Sequence, residues 1–298
     1  MNYLYFDIEC CDGNHICSFG YVVVNDEFTV LEKDDILINP EKRFQLGRAN
    51  FDPAISLAYS KNAFRRSPNF RAKYGEIKQL LTRPNQIILG HAVASDLNFL
   101  DIACTRYGKK RVDIDAYDTQ KIYADNFASG KCCSLDTILK DLGIDMGQLV
   151  EHKSCDDAEL TMLAVKQMCA RQNVSVAELL HNNAECIVSY SVLEENKKRS
   201  RIRKSIKLFN KKYDGAIGAD KIYFSAALGL DDVDCRIRLI ERIYRNGYAV
   251  TTNIADCIYV VCENGIIDDK ERNSLAASDK KEPQFISVDR LHTVLPQK

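Results

Sequence analysis

The sequence predicts an α/β protein of two domains, the first with a mixed sheet and the second with a small parallel sheet. Its 298 residues exceed the length of one average domain, and 46% of them are hydrophobic, enough for a sizeable core. Three strand-like segments open the chain, and helices and strands then alternate, a pattern typical of a mixed sheet. Strand and helix alternate again between residues 217 and 298, which favours a parallel sheet there.

The first domain, predicted over residues 1–173, begins with three strands rich in Val, Ile, Tyr and Phe. They are NYLYFDIE, ICSFGYVVVN and EFTVLEKDDILIN, and the turn signals between them predict an antiparallel meander. GEIKQLLTR then predicts a helix, QIILGH a short strand and SDLNFLDIACTRYG a second helix. Two more helices follow: SLDTILKDLGI, with Ser134 as its predicted N-cap, and DDAELTMLAVKQMCARQ, with acids in its first turn.

Residues 174–216 are predicted to form a helical basic linker. Its segment KKRSRIRKSIKLFNKK contains nine Lys or Arg among sixteen residues and no acid. Such a helix can be a solvated tether between domains or can contact phosphates, and the sequence leaves both open. The candidate phosphate contacts are Lys197, Lys198, Arg199, Arg201, Arg203 and Lys204.

The second domain is predicted over residues 217–298. Its strands are KIYFSAAL, YAVTTNI, CIYVVCENG and the start of FISVDRLHTVL. Its helices are DCRIRLIERIYRNG, RNSLAAS and the end of FISVDRLHTVL. Strands separated by helices in this way predict a parallel sheet flanked by helices.

The overall charge assigns no partner, because 41 Lys and Arg nearly balance 42 Asp and Glu. Twelve cysteines include no CxxC, and the N-terminus lacks the basic-then-apolar pattern of a signal peptide. We therefore expect reduced thiols and a cytoplasmic, intracellular location. No apolar stretch approaches the ~20 residues needed to cross a bilayer, so no membrane partner is expected.

Two acids stand at alternate positions of the first strand, in FDIEC. Asp7 and Glu9 therefore project side by side from one face of that strand. Neighbouring carboxylates repel one another unless they are protonated or bridged by cations, and a divalent ion that prefers hard oxygen ligands relieves the repulsion. The pair predicts a metal site, although a strand with one solvated face can also carry such a pair without function.

Three residues farther along the chain add to this pair. Asp96 follows a predicted strand at the start of a helix, where side chains commonly face the crevice above a sheet. His152 lies in a loop and Asp157 in the first turn of the next helix, so the imidazole can lean over a site that the carboxylate helps to build. A histidine titrates near neutral pH and can take a proton from water.

The order and spacing of these residues carry a family resemblance. DIE, GHAVASD, the DT of YDTQKI, the SL of CCSLDTIL and HKSCDDA resemble DEDDh (DnaQ-like) 3′–5′ exonucleases, such as the proofreading subunit of bacterial DNA polymerase III. The resemblance spans residues 1–172 and implies a ribonuclease H-like mixed-sheet exonuclease domain. It also implies that nucleic acid with a single-stranded or frayed 3′ end is hydrolysed to nucleoside 5′-monophosphates.

The resemblance further implies two divalent cations, Mg²⁺ or Mn²⁺, and a role for each selected residue. Asp7, Glu9 and Asp157 would hold one cation. Asp7 would bridge to the second, and Asp96 would complete that second site. His152 would be the general base, while the two cations stabilise the attacking and departing oxygens.

Three positions depart from the family pattern. Cys10, Ala92 and Ser95 stand where the family usually has Thr, Asn and Phe. The four acids and His152 remain, so the departures concern the seating of the substrate and the rate rather than the chemistry.

Three polar residues near the motifs receive other assignments. Asp118, in the DT motif, either hydrogen-bonds within the site or caps a loop. Asp156 is expected to be a solvated acid at a helix N-terminus. His91 is expected to be structural.

The second domain resembles a BRCT domain over residues 217–296. The resemblance lies in a strand that ends in a small-residue turn, a helix closed by Asn-Gly, a TT pair and a terminal strand and helix. The Trp usual in the last helix is absent and Arg290 lies near its position, so Leu291 and Leu295 would have to fill the core.

A BRCT-like domain implies docking on DNA, on a 5′-phosphate or on a replication or repair protein. Some BRCT domains bind phosphate through a hydroxyl after the first strand and a lysine at the second helix, which together form an anion pocket. The residues near those positions are Ser225, Thr252, Lys270 and Arg272.

Together these observations predict a metal-dependent 3′–5′ exonuclease, a phosphodiester hydrolase that acts on DNA in replication or repair, with a BRCT-like docking module. An exoribonuclease that trims RNA 3′ ends is an alternative, because the same acids serve either sugar. A catalytically silent scaffold that binds nucleic-acid ends is another. No polymerase region is recognised, so proofreading would require a partner.

Overall fold

The structure is a computed structural model that describes residues 1–45, 57–150, 152–213, 220–230, 232–278, 280 and 282–295. The chain divides into two compact units, Met1–Leu193 and Glu194–Lys298. Residues 174–193, which the sequence assigns to the linker, belong to the first unit. The predicted junction between residues 216 and 217 lies outside the described residues.

The first unit is built on a six-stranded mixed sheet. Its strands are β1 (Asn2–Cys10), β2 (Ile16–Val24), β3 (Val30–Leu37), β4 (Gln86–Gly90), β5 (Ala116–Asp118) and β6 (Ile187–Val188), in the order β3-β2-β1-β4-β5-β6. The first three strands pair antiparallel, which confirms the predicted meander. β4 and β5 join in parallel and β6 returns antiparallel, so the predicted mixed sheet is present.

Helices cover both faces of this sheet. Those described are α1 (Lys61–Arg66), α2 (Phe70–Leu81), α3 (Ala94–Arg106), α4 (Thr119–Phe127), α5 (Leu135–Leu142), α6 (Ser154–Gln172) and α7 (Val176–His181). Ser134 is the N-cap of α5, as predicted, and its hydroxyl accepts a hydrogen bond from Thr137 N–H. The unit extends beyond residue 173 because α7 buries Leu179 and Leu180 in its core and β6 lengthens the sheet.

The two faces of β1 belong to different parts of the core. Phe6 packs in the cluster that includes residues of α2 and α3, whereas Tyr5 packs in the cluster that includes residues of α6. Asp7 and Glu9 lie two and four residues after Tyr5, so the alternation of the strand turns them to the α6 face. The apolar row on this face therefore ends in two acids.

A glycine in β2 allows α6 to approach the sheet closely. Gly20 is paired with Asp7 across the β1–β2 ladder. A Cβ atom at Gly20 would lie 2.0 Å from the backbone nitrogen of Cys155 and 2.5 Å from Cβ of Ser154. Any side chain there would displace the first turn of α6, so the glycine brings that turn beside Asp7.

The second unit contains a four-stranded sheet in which all strands are parallel. Its strands are β7 (Lys221–Phe224), β8 (Ala249–Val250), β9 (Tyr259–Val261) and β10 (Gln284–Ile286), in the order β10-β9-β7-β8. Its helices are α8 (Tyr190–Lys212), which belongs to this unit from residue 194, α9 (Val233–Arg245), α10 (Asp269–Ala276) and α11 (Val288–Val294). Ile206 and Phe209 of α8 join Leu291 and Leu295 in the core. The BRCT-like assignment of this unit stays a prediction.

The twelve cysteines are all free thiols, and most of them are buried. Burial raises the pKa of Cys11 and Cys169 to about 11, so these thiols stay protonated and pack as small apolar groups. Among the described helices, none is both long and apolar enough to span a membrane.

Candidate metal and catalytic site

Five side chains that the sequence selects converge at the end of β1. Glu9, His152 and Asp157 each offer a ligand atom, and these atoms all lie within 4.8 Å of one another. Nδ1 of His152 lies 3.4 Å from Oε1 of Glu9. Asp7 is close enough to Asp96 and to the other two carboxylates for their charges to raise its pKa. The structure therefore brings together residues that are widely separated in the chain.

Three elements and one loop position these side chains. β1 carries Asp7 and Glu9, and the first turn of α3 carries Asp96, which is only 4% exposed. The first turn of α6 carries Asp157. His152 stands in the loop before α6 with a φ of 61°, a left-handed conformation that a non-glycine residue seldom adopts.

Asp7 carries an oxygen atom that no described residue satisfies. Its Oδ2 atom is buried and lacks a hydrogen-bond partner within the described ranges. Burial raises the pKa of Asp7 well above its usual value, and the neighbouring carboxylates raise it further. A buried carboxylate without a partner is unfavourable unless it is protonated or binds a cation.

Burial also raises the pKa values of two neighbouring acids, Asp96 and Glu9. Burial raises the pKa of Asp96 well above its usual value, a backbone hydrogen bond at Ile8 opposes the shift, and the charge of Glu9 adds to it. Burial also raises the pKa of Glu9, although the adjacent His152 opposes that shift. Without a cation, the cluster therefore favours protonated carboxyl groups.

The donor set fits a divalent cation that prefers oxygen ligands. Carboxylates supply anionic oxygens, and imidazole is the one nitrogen donor among the five side chains. The unpartnered oxygen of Asp7 is the observation that favours a cation, because a purely structural cluster would pair its buried oxygens with hydrogen-bond donors. The residues present therefore suit a divalent metal ion.

A hydrogen-bond network that the sequence analysis missed fixes the first turn of α6. Asp35 of β3 accepts hydrogen bonds from the N–H of Cys155 at 2.9 Å and from the hydroxyl of Tyr59 at 2.8 Å. The hydroxyls of Ser18 and Ser154 hydrogen-bond to each other beside it. Asp35 lies 120 residues before Cys155 in the chain, so no local pattern could have indicated this contact.

Asp156 is not the solvated acid that the sequence predicts. It is 3% exposed, and its carboxylate accepts hydrogen bonds from Nζ of Lys33 at 2.8 Å and from Nζ of Lys153 at 3.2 Å. Although burial opposes the shift, these bonds and one from the N–H of Val150 lower the pKa of Asp156 to about 2. The prediction was wrong because Lys33 belongs to β3, far from α6 in the sequence.

Asp118 caps a helix and fixes the turn before α3. Its carboxylate accepts hydrogen bonds from the N–H groups of Gln120 and Ala92, each at 3.1 Å. Ala92 needs this support because its φ is 51°.

Burial lowers the pKa of the neighbouring His91 to about 4, although a hydrogen bond to the backbone of Cys133 opposes the shift. His91 is therefore neutral at physiological pH, which agrees with a structural role.

In the second unit, the predicted phosphate-binding residue Ser225 is already bonded to another side chain of the chain. Ser225 is 3% exposed, and its hydroxyl donates to Oε2 of Glu271 at 2.8 Å. Glu271 also accepts from the N–H of Ala226 at 2.6 Å and the hydroxyl of Tyr223 at 2.8 Å. A carboxylate of the chain itself thus occupies the donors that an anion would use. The exposed members of the predicted set are Thr252, Lys270 and Arg272.

The basic residues of α8 fall into two groups. The ion pairs are Lys197–Glu194, Arg199–Glu195 and Arg201–Asp234, at 3.3, 2.6 and 2.7 Å. For Lys198, Arg203 and Lys204, no ion pair is found among the described residues. These three side chains are thus the ones in the predicted set that can attract phosphate without breaking an ion pair.

Residues 21–168 match the family model described as the DEDDh-type C-terminal domain of DNA polymerase III subunit epsilon-like proteins. The matched segment contains Asp96, His152 and Asp157 and begins after Asp7 and Glu9. The search of curated proteins found no match.

Solved structures with a similar chain include three exonucleases. A 3′-exonuclease that recognises the 3′ end of the histone mRNA stem-loop shares 18% identity over 57% of this chain and 82% of its own, with a TM-score of 0.45. The nuclease domain of 3′hExo, a DEDDh family member bound to rAMP, shares 20% identity over 57% and 91%, with a TM-score of 0.44. The zinc-bound complex of E. coli exonuclease I with single-stranded DNA shares 16% identity over 58% and 41%, with a TM-score of 0.45.

Proposed function

We propose that this chain is a 3′–5′ exonuclease whose catalytic centre lies at the end of β1. Residues 21–168 match a family model of the DEDDh type, and DEDDh exonucleases are metal-dependent hydrolytic nucleases. The observation that carries the proposal is the cluster of acids around the unpartnered oxygen of Asp7. The proposed catalytic residues are Asp7, Glu9, Asp96, His152 and Asp157.

Two divalent cations, Mg²⁺ or Mn²⁺, would bind these acids. Asp7, Glu9 and Asp157 would hold one of them, and Asp7 and Asp96 the other. When bound, the cations would stabilise negative charge on the phosphodiester and on its leaving oxygen.

His152 would act as the general base. Glu9 lies beside its Nδ1 atom and orients the ring, which leaves Nε2 to accept a proton from the attacking water. The imidazole is 43% exposed, so water and substrate can reach it. The proton leaves His152 to solvent after each turnover.

The proposed substrate is DNA with a single-stranded or frayed 3′ end, and the second unit would serve as a BRCT-like docking module in replication or repair. Its all-parallel four-stranded sheet supports the BRCT-like assignment. The cations of α8 for which no ion pair is described support attraction to nucleic acid.

One hydrolysis assay tests the proposed function. Matched single-stranded DNA and RNA, labelled at either end, are incubated with the protein and Mg²⁺ or Mn²⁺, with and without chelator. We expect stepwise shortening from the 3′ end, release of 5′-monophosphates, faster cleavage of DNA, and full inhibition by chelator.

Variants separate the proposed centre from a contaminating nuclease. Asp157→Ala should lower the rate by about 10³-fold or more, whereas Asp115→Asn, a charge change at an exposed acid, should leave it unchanged. Undiminished cleavage by Asp157→Ala would remove the assignment, and faster cleavage of RNA would replace DNA with RNA as the substrate.

A further inference from the structure

A cavity of about 160 Å³ in the second unit has no assigned role. Arg199 and Arg203 of α8 and Arg236 of α9 line it, together with the hydroxyl-bearing residues Thr251 and Thr252. None of the described residues that line it is acidic. Its other walls are mainly apolar or aromatic, and they include Ile202, Ile206, Tyr223, Phe224, Leu230 and Ile240.

Arg236 is the residue that indicates a ligand. Its guanidinium lies 4.8 Å from the centre of the Phe224 ring, and its Nη2 donates to the carbonyl of Gly229 at 3.2 Å. No carboxylate partner is described for it, and burial lowers its pKa. A half-buried cation without a counter-ion is unfavourable, so an anion that enters the cavity gains binding energy there.

The cavity also lies where ligands commonly bind in parallel sheets. Ser225 and Ala226 directly follow β7, and Thr251 and Thr252 directly follow β8, so the carboxyl ends of two neighbouring strands open into it. The hydroxyl of Thr251 donates a hydrogen bond to the carbonyl of Asn253 and accepts one from the N–H of Asn253. Thr252 is exposed at the cavity rim, which leaves its hydroxyl accessible.

Charge and shape together select the class of ligand. Guanidinium groups bind phosphate oxygens with two parallel hydrogen bonds. Arg236 and Arg203 line the cavity without a described carboxylate partner. Arg199 is paired with Glu195 at 2.6 Å. The apolar and aromatic walls suit a sugar and a base. Two further cations of α8, the half-buried Lys198 and the exposed Lys204, would attract a polyanion toward this opening.

We propose that this cavity binds the phosphate monoester of a nucleotide, held by Arg236 and Arg203. The site differs from the phosphate pocket that the sequence suggested, because Ser225 there is already bonded to Glu271. The phosphate can belong to a strand terminus or to a free mononucleotide. Binding at this site does not require hydrolysis at the end of β1. The phosphate-binding proposal can therefore be tested independently of the proposed nuclease activity.

Binding is measured with the full chain in chelator, so that no strand is cut. The probes are one internally labelled single-stranded oligonucleotide with a 5′-phosphate, with a 3′-phosphate, or with neither, and dAMP against deoxyadenosine. We expect at least one phosphorylated probe to bind about tenfold more tightly than its unphosphorylated partner, the effect of a charge-assisted hydrogen bond. Preference for an oligonucleotide identifies a strand end, and equal affinity for dAMP identifies a free nucleotide.

Three variants locate the effect. Arg236→Met and Arg203→Met should abolish the tenfold preference, whereas Arg238→Met, on the same helix as Arg236 but outside the cavity lining, should retain it. Arg203 is exposed, so its variant decides the question if Arg236→Met does not fold. The proposal is overturned if no phosphorylated probe is preferred, if Arg238→Met loses the preference equally, or if a phosphoserine peptide binds more tightly than every nucleotide probe.

Discussion

Asp7 occupies a position that is unfavourable for an isolated carboxylate. It follows the buried Tyr5 on the α6 face of β1, and its Oδ2 atom lacks a hydrogen-bond partner in the part of the chain that the structure describes. The sequence could predict this residue because alternation along a strand is a local property. It could not predict Asp35 or Arg236, because their surroundings come from segments distant in the chain.

The electrostatics of Asp7 give a prediction about pH. Its raised pKa means that the folded state binds a proton more tightly than the unfolded chain. The resulting stability is complete below the ordinary pKa of 3.8 and is lost as the pH rises through the raised value. In chelator, Asp7→Asn should therefore melt a few degrees above wild type at pH 8, with a smaller difference at pH 5, since about 1 kcal/mol shifts Tm by ~2–4 °C.

Differential scanning calorimetry at a series of pH values measures this effect. Asp115→Asn serves as the matched control, because it removes one exposed acid of the same type. Its Tm should follow wild type at every pH. If the Tm of Asp7→Asn is lower than that of wild type throughout the pH range, the raised pKa of Asp7 is contradicted.

Asp35 positions the first turn of α6 through its hydrogen bond to Cys155. Two variants distinguish the effect of its hydrogen bonds from the effect of its charge. Asp35→Ala leaves the N–H of Cys155 without its acceptor and should cost about 1–3 kcal/mol of unfolding free energy. It should also lower kcat more than it raises KM, because the first turn of α6 carries Asp157. Asp35→Asn keeps an acceptor oxygen and should restore most of both quantities. If Asn fails to restore kcat while restoring stability, the charge rather than the hydrogen bond matters.

At the scale of elements, the approach of α6 to β2 assembles the site. The longer elements were predictable because their apolar periodicity is local, as in β1, β2 and α6. The short helix α7 was not distinguished as a separate helix within the predicted helical linker, although its capping box of Ser175 and Glu178 is visible in the sequence. The basic residues that follow α7 predicted a linker for the whole of this segment.

Gly20→Ala tests whether α6 packs closely against β2. The added methyl group would overlap the backbone of Ser154 and Cys155, so we expect a loss of several kcal/mol of stability and of nuclease activity. Gly75→Ala is the control, because a Cβ at this position of α2 meets no atom within 4 Å. That variant should be neutral or more stable by about 0.5–1 kcal/mol. Chemical denaturation measures both, and equal stability of the two variants would refute the close packing.

At the scale of the whole molecule, two units of different sheet type share one chain. Composition predicted their number and the alternation of elements predicted their sheets. The sequence did not reveal that residues 174–193 complete the first unit, because β6 pairs with β5, which lies far earlier in the chain. It also did not reveal that α8 contributes apolar residues to the second core.

Two cations of α8 for which no ion pair is described give a prediction about salt. Lys198→Gln with Lys204→Gln should weaken binding of single-stranded DNA and reduce the slope of log K against log salt by about 0.7 for each phosphate that the helix no longer neutralises. Fluorescence anisotropy over a range of salt concentrations measures the slope. Lys109→Gln with Lys110→Gln, in the first unit, removes the same charge as a control. An unchanged slope in the α8 variant would show that the helix does not bind phosphate.

The most direct test of the central claim is a calorimetric titration of Mn²⁺ into the metal-free protein. The acid cluster predicts saturable binding to wild type and to Asp115→Asn, with a large loss of affinity in Asp7→Asn. If Asp7→Asn binds Mn²⁺ with the same affinity and stoichiometry as wild type, the end of β1 is not the metal site.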